Sequence, residues 1–199
     1  MKKLLALVLV IFSLTGCLPP SRKHHDVKDA AVRLELVGLG TCSGTVIGPH
    51  AILSAAHCFV ERAPVKVDGV MVLIEQEIND GADHTILIVD ETFDYWAVRG
   101  EQPTQGEVVQ LWGNPDGKSD WYRRGYMVGV DKDEEGREVR IYDVNGFFGD
   151  SGSGVFDADG RLVAVTSLCV FDSTQGVPFK MMGSYDLNFT AQQWAQAAL

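Results

Sequence analysis

Apolar positions in this chain come in short alternating runs rich in Val and Ile, each followed by a Gly, Asp or Pro turn. Val32, Leu34 and Leu36 alternate with Arg33 and Glu35, the period-two pattern of a half-buried strand. Thr45-Val46-Ile47, Gly48-Pro49 and Ala51-Ile52-Leu53 read as a strand, a turn and a return strand. The same habit predicts strands at Val65–Val67, Val70–Ile74, Thr85–Val89 and around Trp96–Val98. A second series follows at Val108–Trp112, Tyr122–Val130, Val139–Val144, Val155-Phe156, Leu162–Thr166 and Phe179–Tyr185. Asp157-Ala158-Asp159-Gly160 turns the chain between two of these. Thr190-Ala191-Gln192-Gln193 is a capping-box pattern that opens a terminal helix to Leu199.

The pattern is therefore all-β, with about six strands in each half. Gly100, Pro103 and Gly106 interrupt it near Arg99–Gly106, which divides an N-terminal unit, residues 30–105, from a C-terminal unit, residues 106–199. Periodicity alone fits a pair of packed antiparallel barrels and a single large sandwich nearly as well.

The first residues belong to no fold. Met1-Lys2-Lys3 is a positive n-region and Leu4 to Leu14 an apolar run, too short for a membrane span and suited to a secretory signal. The run ends in Leu14-Thr15-Gly16-Cys17, which resembles the lipobox of bacterial lipoproteins. That resemblance implies a signal peptide over residues 1–16, a lipidated Cys17 as the mature N-terminus, and a tether over residues 17–29. Leu18, not Asp, follows the cysteine, which implies the outer membrane and a periplasm-facing domain. His24-His25 lie in the polar tether without a third ligand and are read as linker. Removing residues 1–16 takes away Lys2 and Lys3 and moves the formal charge from −10 to −12. So acidic a domain offers no clustered Lys and Arg for nucleic acid, and its membrane link rests on the lipid alone.

Two stretches carry chemistry. In Gly149-Asp150-Ser151-Gly152-Ser153-Gly154, glycines on both sides of one serine allow a sharp bend that exposes its Oγ. The same bend turns the N–H groups of Gly149 and Ser151 toward a developing oxyanion. Upstream, Ser54-Ala55-Ala56-His57-Cys58 supplies an imidazole able to take the serine proton and return it to a leaving group.

These two stretches, with Cys42-Ser43-Gly44-Thr45-Val46-Ile47 and Gly113-Asn114-Pro115, resemble the trypsin-like, chymotrypsin-fold serine proteases over roughly residues 30–199. The serine motif departs from the family's Gly-Asp-Ser-Gly-Gly-Pro at its last two positions. The resemblance implies two antiparallel six-stranded β-barrels with a short C-terminal helix. It also implies a Ser-His-Asp triad working through an acyl-enzyme, with no cofactor and no metal. Ser151 and His57 are its first two members. The aspartate is expected as Asp-x-Ala followed by apolar residues. Asp94-Tyr95-Trp96-Ala97-Val98 matches best, one residue beyond the usual spacing, with Asp90 and Asp83 as alternatives. A bridge between Cys42 and Cys58 beside the histidine is implied as well, leaving Cys169 as a buried free thiol. The substrate pocket is implied to have Asn145 at its base and Thr166, Ser167, Leu168 and Cys169 along one wall, neutral and suited to an uncharged side chain.

In family members activated by cleavage, the residue matching Asp150 pairs with a freed N-terminus. No Ile-Val-Gly-Gly segment precedes the first strand, so no such switch is expected and Asp150 needs another partner. Asp131-Lys132-Asp133-Glu134-Glu135-Gly136 lacks the spacing of a calcium loop and is read as a charged hairpin tip. The expected protein is a lipid-anchored monomeric serine endopeptidase acting on protein or peptide substrates. The alternative is a catalytically inactive or partner-dependent lipoprotein that keeps the fold as a binding or quality-control module.

Overall fold

The computed structural model describes residues 27–119, 121–172 and 179–199, with the side chains of residues 171, 172 and 179 excluded. The signal, Cys17 and the His24-His25 pair lie outside the described residues. Strands β1 (Ala31–Leu36), β2 (Gly40–Gly48), β3 (Ala51–Ala55), β4 (Val65–Val67), β5 (Val70–Val72), β6 (Ile74–Asn79) and β7 (His84–Val89) form one curled antiparallel sheet, ordered β5-β4-β1-β2-β3-β7-β6. The second sheet contains β8 (Val108–Gly113), β9 (Trp121–Lys132), β10 (Glu138–Tyr142), β11 (Gly154–Phe156), β12 (Leu162–Val165), β13 (Leu168–Asp172) and β14 (Phe179–Ser184). Its order, β12-β11-β8-β9-β10-β14-β13, repeats the first sheet's connections strand for strand. This is the chymotrypsin-like pair of half-barrels, closed by the helix α1 (Ala191–Ala197).

Each sheet has seven strands, where about six were expected in each half. β6 carries Glu75, Gln76 and Glu77 exposed at a sheet edge, so it lacks the alternation that marks a strand in sequence. β13 hides in the stretch expected to form a pocket wall. Conversely, the segment around Trp96–Val98 joins no ladder. It runs between the barrels, Ala97 N donating to Val46 O of β2 while Leu162 N of β12 donates to Val98 O.

Three apolar clusters hold this arrangement. Val32, Leu34, Leu36, Ile52 and Leu87 fill the first barrel; Leu111, Met127, Tyr142, Val163 and Met182 fill the second. A third cluster joins Ala51, Leu53 and Ile86 of the first barrel to Phe156, Leu162, Val165 and Phe189 of the second. Strand β3 is buried at all five positions because Ile52 faces its own barrel while Leu53 faces the other. Each such aliphatic side chain contributes roughly 1.5–3 kcal/mol on burial, so the seam between barrels is a packed core. Thr190 and Gln193 form the capping box of α1, Thr190 Oγ1 accepting from Gln193 N and Gln193 Oε1 accepting from Thr190 N. Residues 133–137 fold as a hairpin tip, Gly136 N donating to Asp133 O and Arg137 Nε to Asp133 Oδ2.

Candidate active site

The cleft between the barrels is assembled from the ends of β2, β3, β7 and β12. β3 runs into a 3₁₀ turn, Ala56–Phe59, which carries His57. Cys58 in that turn is bridged to Cys42 of β2. Closing a loop of this size contributes about 3 kcal/mol through the unfolded chain, and it ties the histidine turn to the sheet. The other side of the turn is held by Asp83. Its carbonyl accepts from Ala56 N at 2.9 Å, its Oδ1 from His57 N at 2.9 Å, and its Oδ2 lies 2.8 Å from His57 Nδ1. An ionised carboxylate can only accept, so Nδ1 carries the proton and Nε2 is left with a lone pair. Nε2 lies 2.9 Å from Ser151 Oγ.

The carboxylate on His57 is therefore Asp83, and Asp94 is not part of the constellation. Asp94 is exposed in the irregular stretch that follows β7. Strand pairing explains the difference. β3 and β7 are antiparallel, with Ala55 opposite His84 and Ala51 opposite Ile88. The end of β3 that delivers His57 therefore meets the start of β7, and β7 then carries the chain about 20 Å away at ~3.3 Å per residue. Asp90 lies at that far end, where its Oδ1 accepts from Leu73 N. A sequence signal for Asp83 exists, since Asp83-His84-Thr85-Ile86-Leu87 has a small residue, Thr85, two places after the aspartate and then an apolar run.

The serine loop is bent by two glycines with positive φ, Gly149 at 94° and Gly152 at 88°. Side chains are excluded at Gly152 by contact as well, since a Cβ there would lie 2.0 Å from Ser43 O. Ser43 N donates to Ser151 O, and Ser43 Oγ donates to Gly149 O at 2.8 Å while accepting from Asn114 N and Nδ2. Gly152 N donates to Thr166 O and Thr166 N to Ser153 O. One loop is thus fastened to both barrels. Among the described residues, the N–H groups of Gly149 and Ser151 donate to no protein acceptor.

Asp150 is fully buried, and its partner is Arg123 of β9. The guanidinium donates through Nη1 to Oδ2 at 2.6 Å and through Nη2 to Oδ1 at 2.5 Å. Phe147 N also donates to Oδ2, and Arg123 Nη1 to Asn145 O. This two-pronged, charge-assisted contact pins residues 145–150 at both ends. Nothing in the local pattern around Arg123 marks it for this role.

Of the expected pocket residues, Thr166 and Ser167 are buried, Cys169 is a half-buried free thiol, and Asn145 is exposed. Burial pushes the Cys169 thiol above its ordinary pKa. Ser167 Oγ lies 3.1 Å from Nε2 of His84, and His84 Nδ1 lies 2.7 Å from Asp80 Oδ2, both members of that pair closed to solvent. Asp80 also accepts from the amides of Ala82, His84 and Asn188, so it shapes the turn that presents Asp83 and ties it to the second barrel.

Burial alone would raise the Asp80 pKa; the hydrogen bonds from His84, Asn188 and Ala82 outweigh it and hold the carboxyl below its usual value. A depressed carboxylate stabilises the fold above its unfolded pKa of about 4, and that contribution is lost as pH falls through the folded value. Asp80→Asn is therefore expected to lower the urea midpoint clearly at pH 7, with the difference from the parent shrinking on acidification below about pH 4. Urea titrations of both proteins across pH check this.

The fold agrees with comparisons to known proteins. No curated protein matches the chain. Among solved structures, the active form of the Rv3671c protease from M. tuberculosis is similar with a TM-score of 0.68 and 19% identity, covering 96% of this chain and 94% of that one. A Glu endopeptidase in complex with MPD gives a TM-score of 0.64 at 19% identity, over 85% of this chain and 89% of that one. The HtrA-type protease AlgW with a tripeptide gives 0.66 at 17% identity, over 80% of this chain and 56% of that one. At these identities the likeness concerns the fold. The trypsin-like peptidase domain, however, matches over residues 42–165, more than half of the chain. This chain belongs to the trypsin-like peptidase family.

Proposed function

We propose that the protein is a serine endopeptidase using Ser151, His57 and Asp83. The observation that carries this reading is the unbroken relay Asp83 Oδ2, His57 Nδ1, His57 Nε2, Ser151 Oγ, with links of 2.8 and 2.9 Å. His57 Nε2 accepts the Ser151 proton as Oγ attacks the scissile carbonyl. The resulting oxyanion accepts hydrogen bonds from the N–H groups of Gly149 and Ser151. Collapse breaks the C–N bond, His57 hands its proton to the leaving amine, and the acyl group stays on Ser151. Water then repeats the sequence, losing a proton to His57 and releasing the acid and the free serine. Asp83 keeps Nδ1 protonated and stabilises the imidazolium that forms in each half.

A catalytically inactive or partner-dependent binding module is the other reading; a carboxylate on His57 Nδ1 favours the enzyme over it. Attachment through a lipid on Cys17, at the periplasmic face of the outer membrane, remains part of this proposal and rests on the lipobox resemblance alone. Retention of a Cys17→Ser variant in the membrane fraction would argue against it.

Labelling of the purified protein with a fluorophosphonate probe tests the chemistry. The parent is expected to label, and Ser151→Ala and His57→Ala are expected to lose the label. A folded parent that takes no label would contradict the endopeptidase reading.

A further inference from the structure

Beside the serine loop, the wall expected to line the substrate pocket closes onto the Gly146 backbone. The segment leading to the nucleophile passes through Gly146, whose backbone is buried. A Cβ built on Gly146 would lie 2.3 Å from Met182 Sδ and 2.8 Å from Cys169 Sγ. Both sulfur atoms therefore rest directly on that backbone. Met182 and Cys169 face each other in the β13–β14 ladder. Cys169 of β13 closely follows Thr166, which lies between β12 and this strand and is hydrogen-bonded to Gly152 and Ser153 next to the nucleophile. A side chain entering between the 145–147 backbone and this strand meets the Cys169 thiol at its mouth. Beneath that it meets Met182, which has no solvent exposure.

We infer that the enzyme cleaves after small uncharged residues, Ala, Gly or Ser, because Cys169 and Met182 fill the slot for the residue that supplies the scissile carbonyl. This rests on the endopeptidase reading above. A leucine or phenylalanine would have to displace Met182 from the second-barrel core, where it packs with Leu111, Tyr142 and Val163. Close-packed interiors resist such insertion, which forces side chains off their rotamers and can move backbone. A lysine or glutamate would lose its hydration against two sulfur atoms. Of the charged groups near Cys169, Asp150 and Arg123 are already paired with one another, and Lys180 lies over the rings of Phe147 and Phe148.

The test uses peptidyl phosphonate diphenyl esters that differ only in the side chain beside the phosphorus: Ala, Leu, Phe, Lys or Glu. Inactivation rates are measured on protein first shown to react with a fluorophosphonate, which has no such side chain. The Ala ester is expected to react about 100-fold faster than the Leu, Phe, Lys and Glu esters. Cys169→Gly combined with Met182→Ala is expected to raise the Leu-to-Ala rate ratio about tenfold or more. Because Met182 lies in the core, Cys169→Leu at the half-buried mouth is the second variant, expected to lower the Ala-ester rate relative to the fluorophosphonate rate. Fluorophosphonate-reactive parent that prefers the Leu, Phe, Lys or Glu ester would overturn the inference, as would a Cys169→Leu protein with an unchanged ratio. Failure to react with fluorophosphonate at all would overturn the endopeptidase reading itself.

Discussion

Asp83→Asn is expected to lower kcat/KM by about 10⁴-fold, whereas Asp94→Asn should leave it within about twofold. An asparagine at position 83 can present N–H donors to His57 Nδ1, which drives the imidazole into the tautomer with its proton on Nε2. That nitrogen then has no lone pair with which to take the Ser151 proton. At 1.36 kcal/mol per factor of ten, the loss amounts to roughly 5.5 kcal/mol of transition-state stabilisation. Because Asp83 Oδ1 also accepts from His57 N, part of the loss reflects a looser turn. Circular dichroism and a urea midpoint on the variant separate the two contributions. Equal losses at positions 83 and 94, or a loss only at 94, would show that the relay seen here is not the working one. Steady-state kinetics on one peptide substrate decides the matter.

Arg123→Met is the second large effect. It strips the only cation within reach of a buried carboxylate among the described residues, and breaking a buried pair from one side costs about 3–5 kcal/mol. The consequence for catalysis follows from what the pair holds. Asp150 lies between Gly149 and Ser151, the two proposed oxyanion donors, and accepts from Phe147 N at the start of the same bend. Losing the correct placement of one such donor lowers kcat about 10²–10³-fold, so kcat should fall with KM little changed. Arg123→Lys keeps the charge but cannot make both contacts, and an intermediate loss is expected. Adding Asp150→Asn to Arg123→Met should cost less than the sum of the single changes, since no unpaired charge then remains. An Arg123→Met protein that is less stable yet retains its full kcat would confine the pair to a structural role. The arrangement also supplies the partner that Asp150 was expected to need, without a freed N-terminus.

Local features of this protein are legible in the amino-acid order because they depend on neighbours only a few residues away. Alternation in Val32-Arg33-Leu34-Glu35-Leu36 becomes β1 with Val32, Leu34 and Leu36 buried. Thr190 and Gln193 make the capping box that their spacing announces. The bridge between Cys42 and Cys58 is legible through family resemblance, not through spacing alone. Strands without alternation are not legible: β6 is polar because it is an edge, and Trp96–Val98 is apolar without being a ladder strand because it spans the seam.

By itself, then, the sequence determined the all-β class, the repeated barrels by resemblance, and the two short stretches that bring His57 and Ser151 to the cleft. Only the tertiary structure decided which aspartate meets His57, which cation meets Asp150, and what fills the slot beside Gly146. These choices depend on register between strands distant along the chain. Antiparallel pairing of β3 with β7 places Asp83, 26 residues from His57, at the right end of the strand and Asp94 far from it. Pairing of β13 with β14 sets Met182 opposite Cys169. Local periodicity is blind to such register, because a strand's alternation is the same whichever partner, and whichever end of it, the fold sets alongside.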